Sequence, residues 1–151
     1  MTRGRGVSRA RQRARELLIK ALYQWQLAGH SAAEITEQFA AGEEDFPECD
    51  REYFDALLAV VLEDAAVLDK SIARHAARGL DQLDAVGRSI LLLGLAELKH
   101  RADVPTKVVI NEAVELAKRY GAAESFKFVN AVLDKSAREL RPRPEMAGAK
   151  P

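Results

Sequence analysis

The sequence predicts an all-α fold of about seven helices. Apolar residues recur at helical spacing along most of the chain, and no segment alternates cleanly at period two. Capping and stop residues stand at the ends of those periodic runs. One central segment, Ile90 to Ala96, is apolar on every side, which places its helix in the middle of a domain. At 151 residues the chain suits one compact domain, which buries about two-thirds of the surface its unfolded form exposes.

The first helix is expected from near Ser8 to about Ala28, with Ala14, Leu18, Ala21, Leu22 and Trp25 on one apolar face and Gly29 as its stop. Ser31 and Glu34 form a capping-box pattern for a short second helix to about Ala41. Residues 42–48 are acidic, contain Pro47 and read as a loop. Asp50 caps a third helix that buries Tyr53, Leu57, Val60, Val61 and Leu62. A break between Asp64 and Asp69 would divide it from a fourth helix, carrying Leu68, Ile72 and His75 to Gly79. The fifth runs from about Leu83 to His100. The sixth opens at Asp103-Val104-Pro105, where proline's missing N–H costs nothing. Its β-branched run Val108-Val109-Ile110 would suit a strand, but Ile110, Ala113, Val114 and Ala117 recur at helical spacing. Gly121 is expected to end it in the left-handed conformation. The seventh helix spans about Ala123 to Leu140, and Pro142 and Pro144 follow it. The domain organisation expected is a flexible basic arm over 1–8, a helical domain over 9–141 and a disordered tail over 142–151.

The net charge is zero, but the charges are unevenly placed. Residues 1–15 hold six of the 23 basic residues and none of the 23 acidic ones, so the rest of the chain is net acidic. A basic arm on an acidic body points to a polyanionic partner. A solvated tail or a receptor-read signal would show the same charge. Arg9 and Arg13 lie one turn apart, as do Arg11 and Arg15, so the arginines make charged ridges able to hold phosphates. A second candidate is the turn and helix start at Glu124, Ser125 and Lys127, where free N–H groups favour an anion. The plainer alternative has Ser125 capping the helix and Lys127 solvated. Phe126 and Val129 read as core. Glu97, Asn111 and Asn130 are polar residues in apolar helices and read as bridges to neighbouring helices.

Signals for catalysis are weak. His30, His75 and His100 share no metal-ligand spacing with Cys49. The chain has no glycine-rich phosphate loop and no nucleophile elbow. The expectation is a non-enzyme with no catalytic residue, no metal and no cofactor. The lone cysteine suits a reducing compartment. No apolar run approaches the roughly 20 residues that cross a bilayer, and the N-terminus lacks the apolar stretch of a secretory signal. A cytoplasmic protein without a membrane role is expected.

Three blocks carry a resemblance. They are Arg13-Ala14-Arg15-Glu16-Leu17 with Ala21-Leu22-Tyr23-Gln24-Trp25; the stretch from Asp103-Val104-Pro105-Thr106-Lys107 to Leu116-Ala117-Lys118; and Lys127-Phe128-Val129-Asn130-Ala131-Val132-Leu133-Asp134. In this order and spacing they resemble the bacterial NusB family of transcription antitermination factors. Residues 31–80 match by helix pattern more than by motif.

The resemblance implies two small helical bundles packed together, and binding of single-stranded boxA RNA in nascent ribosomal RNA leaders. It implies action with NusE, a small-subunit ribosomal protein, and, through the complex, with other Nus factors and RNA polymerase to read through terminators. A homodimer is one of the two assemblies found among similar proteins; the monomer is the other. The implied RNA-binding residues are Arg9, Arg11, Arg13, Arg15, Tyr23, Glu124, Ser125 and Lys127, and the implied NusE-binding residues are Asp81, Asp84 and Arg88. Gln12 interrupts the arginine run, Phe126 stands where histidine is common, Ala131 where glycine is frequent, and Gly87 where relatives can carry a glutamate facing NusE. The same fold forms the N-terminal domain of some ribosomal RNA cytosine methyltransferases, and a protein-binding helical adaptor would also fit the charge pattern.

Overall fold

A computed structural model describes residues 8–42, 46–76, 81 and 83–142. Among them are six α-helices: α1 (Arg9–Ala28), α2 (Ala32–Gly42), α3 (Arg51–His75), α4 (Ala85–His100), α5 (Thr106–Tyr120) and α6 (Ser125–Leu140), with a 3-10 turn at Phe46–Glu48. Most of the arm, most of the C-terminal tail and Gly79 lie outside the described residues.

The capping chemistry is local and mostly as expected. Ser8, Asp50 and Asp84 accept hydrogen bonds from the backbone N–H three residues on. Ser31 and Glu34 close a reciprocal capping box, with Glu34 accepting from the Ser31 N–H at 2.9 Å and Ser31 Oγ from the Glu34 N–H at 3.1 Å. Gly29 ends α1 at φ +72°, in the left-handed region.

The count of six reflects α3, which runs unbroken for 25 residues. Val61, Ala65, Leu68 and Ile72 are buried in one stripe that continues through the expected break. The acids that suggested the break meet cations on α4 instead. Asp64 accepts from Lys99 Nζ at 2.8 Å, and Asp69 pairs with Arg88 at 2.6 Å.

Helices α1–α3 form one group and α4–α6 a second, joined where α4 packs against α1 and α3. Helix α4 is the hub, with Ile90 to Leu98 all buried. Gly94 lets α6 approach: a Cβ there would lie 2.9 Å from a Leu133 methyl carbon. Phe39, Phe46 and Phe54 pack edge-on or tilted beneath the 3-10 turn.

Three expectations change. Gly121 is not left-handed: its φ is −87°. Glycine is required there because a Cβ would sit 2.8 Å from the Ala117 carbonyl oxygen and 2.5 Å from Ser125 Oγ. The left-handed residue is Glu124 at φ 69°, directly before α6, so Ser125 is the first helical residue and not the cap. Asn111 and Asn130 are exposed and bridge nothing inside the core, whereas Glu97 is buried as expected of a bridging residue.

Candidate nucleic-acid interface

The two arginine ridges of α1 diverge. Arg11 and Arg15 turn toward the junction of the bundles. Arg15 is only 1% exposed; its Nε donates to Glu97 Oε2 at 2.9 Å, and Glu112 Oε1 stands 3.7 Å from its Nη1. The Tyr53 hydroxyl donates to the same Glu97 oxygen. Burial pushes the Glu97 carboxyl above the usual range, and Arg15 opposes that shift. Burial also pushes the Tyr53 hydroxyl upward. Arg11 lies over the Tyr53 ring at 4.3 Å and stands 3.5 Å from both Asp50 and Asp103. Arg15 therefore leaves the expected phosphate-facing set, since a guanidinium enclosed by the core cannot reach a solvent-borne phosphate. Arg11 is half-buried and ion-paired.

Arg9 and Arg13 take the other side. With Gln12, Glu16, Glu48, Arg119 and Tyr120 they line a polar groove of about 320 Å³. Glu16 accepts from both Arg13, one turn earlier on α1, and Arg119, near the end of α5. The hydroxyl of Tyr120, then Glu16, hold the Arg119 guanidinium above its ordinary pKa.

Arg13, Glu16 and Tyr120 also belong to a second, mostly apolar groove of about 510 Å³, which continues along Leu17, Ile19, Lys20, Tyr23, Gln24 and Val86. Tyr23 is 41% exposed and Tyr120 47%, two of the four large apolar side chains most open to solvent among the described residues. Guanidinium groups thus adjoin two open aromatic rings. That is the combination a single strand needs, cations for its phosphates and π-faces for its bases. Arg119 and Tyr120 were not singled out as site residues from the sequence. Their signal was faint: an arginine in a last turn reads as a helix-dipole partner, and only the fold brings α5 beside α1.

The α5–α6 turn follows directly. Lys118 Nζ lies 5.1 Å from the half-buried Phe126 ring, joining the two helix ends. Lys127 is 67% exposed and pairs with Glu124 at 2.7 Å. The Ser125 hydroxyl is enclosed and has no hydrogen-bond partner among the described residues.

The second expected surface lies toward the other end of α1. Asp81 is exposed. Asp84 is occupied in capping α4. Arg88 grips Asp69 with two nitrogens at 3.0 and 2.6 Å, donates to Gln26 Oε1 at 3.2 Å and lies 5.4 Å from the Trp25 ring centre. Arg88 thus ties α4 to α3 and α1, and Asp81 is the freest of the three. No described group of three or more His, Cys, Asp or Glu could hold a metal ion, and no described helix is long and apolar enough to cross a membrane.

The sequence and the fold are similar to those of known proteins. The sequence model of the NusB family matches residues 12–138. The transcription antitermination protein NusB of Alcanivorax borkumensis is 52% identical over 132 residues, covering 87% of this chain and 87% of its own. That of Sodalis glossinidius is 50% identical, covering 88% of this chain and 95% of its own. Among solved structures, NusB of T. maritima superposes with a TM-score of 0.73 at 32% identity, over 85% of this chain and 90% of that one. An antitermination NusB solved with NusE and double-stranded RNA gives 0.71 at 28% identity, over 88% of this chain and 99% of that one.

Proposed function

The chain belongs to the NusB family, and from that premise we propose that it is a transcription antitermination factor acting without catalysis. It binds boxA RNA in nascent ribosomal RNA leaders together with NusE, and supports read-through by RNA polymerase in the cytoplasm. One observation carries the reading on this molecule: two adjoining grooves, sharing Arg13, Glu16 and Tyr120, place Arg9, Arg13 and Arg119 beside the open rings of Tyr23 and Tyr120. The cations hold backbone phosphates through charge-assisted hydrogen bonds. The rings stack splayed bases, each worth about 1–3 kcal/mol. Lys127 and the α6 start extend the phosphate track. With so few rings available, sequence discrimination is shared with NusE, which docks around Asp81, Asp84 and Arg88. Buried Cys49 has no partner thiol, and a reducing setting suits it.

An electrophoretic shift with boxA RNA tests this, run as single strand and as duplex, with and without NusE. Binding by this chain alone should be modest and tighten when NusE is added, with the single strand preferred. Equal affinity for boxA and a scrambled strand in the presence of NusE would reject the proposal. Preference for the duplex would move recognition from the stacked bases to the backbone.

A further inference from the structure

Glu16 sits among the arginines of the polar groove, which Glu48 also lines. Its carboxylate receives Arg13 from its own helix and Arg119 from α5, 103 positions further along the chain, at once. It is only 18% exposed, while Arg119 is 60% exposed, so the acid sits at the floor of the polar groove and the cation at its rim. A carboxylate held by two guanidinium groups presents them with the same planar pair of acceptor oxygens that a phosphodiester offers. The same acid, Arg13 and Tyr120 also border the tyrosine groove, so a phosphate seated here would leave its base within the reach of Tyr120.

We propose that Arg13 and Arg119 form a phosphate clasp, and that the Glu16 carboxylate occupies it until an RNA backbone phosphate takes its place. This rests on the RNA-binding reading above and assigns Arg119 and Glu16 opposite roles within it. Arg119 adds affinity. Glu16 opposes it, because every strand that enters must displace an ion pair already made. The opposition is useful: it weakens phosphate binding for all sequences alike, since phosphate contacts carry no base information. A strand then stays bound only if base contacts add to the backbone ones. Glu16 also keeps the two cations from repelling each other in the free protein.

The test uses the full chain with NusE and fluorescently labelled single-stranded RNA, one strand carrying boxA and one scrambled, across a salt series. Glu16→Gln keeps the shape and removes the charge. It should bind both strands about three- to tenfold more tightly, the scale of one or two exposed ion pairs no longer to be broken. The ratio between the two affinities should stay about the same, while more of the scrambled strand is retained at a fixed protein concentration. Arg119→Ala should weaken both strands by a similar factor and flatten the salt slope by about 0.7. In the Glu16→Gln/Arg119→Ala double variant the gain should be largely gone. Circular dichroism and the melting temperature verify folding; if Glu16→Gln fails to fold, the exposed Arg119→Ala variant decides alone. Unchanged or weaker RNA binding by folded Glu16→Gln, or wild-type binding by Arg119→Ala, overturns the clasp. Failure of the wild-type chain to bind either strand would instead overturn the RNA-binding reading itself.

Discussion

At the residue scale, the arginines of α1 divide into two jobs that their spacing alone does not separate. Arg15 and Glu97 form a buried ion pair with Tyr53 as a third member. Each charge is out of water, so each depends on the other. Glu97→Ala leaves Arg15 without its principal partner and should destabilise the fold by about 3–5 kcal/mol in urea unfolding. Replacing both members with apolar residues of similar volume should cost far less. A loss below about 1 kcal/mol for the single change would show that water reaches the pair. The sequence marked Glu97 as a polar residue needing a partner, but it could not name Arg15. Both ridges of α1 look alike in one dimension, and only the position of α4 decides which faces inward.

At the scale of elements, the helices were largely legible because their caps and apolar stripes are local. The Ser31–Glu34 box and the Gly29 stop act within four residues of themselves. The Gly121 conformation was misread although its determinants, the Ala117 carbonyl and Ser125, are just as near, because residue type alone does not fix its φ. The α3 break was misread for the opposite reason: it depends on a distant neighbour, α4. The same holds for Arg141, whose guanidinium reaches back from the end of α6 to the end of α4. It donates to the carbonyl oxygens of Glu97, Leu98, Arg101 and Val104 at 2.8–3.2 Å. Those carbonyls include groups that a helix end leaves without an internal partner. Arg141→Ala should lower stability by about 1.5–3 kcal/mol, against less than about 0.5 kcal/mol for Arg138→Ala, whose exposed pair with Asp134 is one turn of α6. Equal small effects from the two variants in thermal unfolding would contradict the capping role.

At the scale of the whole molecule, the fold turns an even charge balance into a directed one. The chain is neutral overall, yet Arg9, Arg13 and Arg119 converge on one groove, and Lys127 stands at the start of the helix that follows. The arginine arm and Lys127 were visible in the sequence as separate basic features. Their joining through the end of α5, and the placing of Tyr23 and Tyr120 along one groove, were not, because that meeting depends on how the second bundle packs against α1. The proposed function requires RNA phosphates to bind on this face. The most direct measurement is the slope of log affinity against log salt for boxA RNA with NusE, in the wild-type chain and in an Arg9→Ala/Arg13→Ala/Lys127→Ala variant. All three side chains are at least partly exposed, so the variant should fold normally. A single strand loses about 0.7 of slope for each phosphate no longer neutralised. The slope should become shallower by about 2, with a clear loss of affinity at low salt; a folded variant with the wild-type slope would mean that the phosphates bind elsewhere.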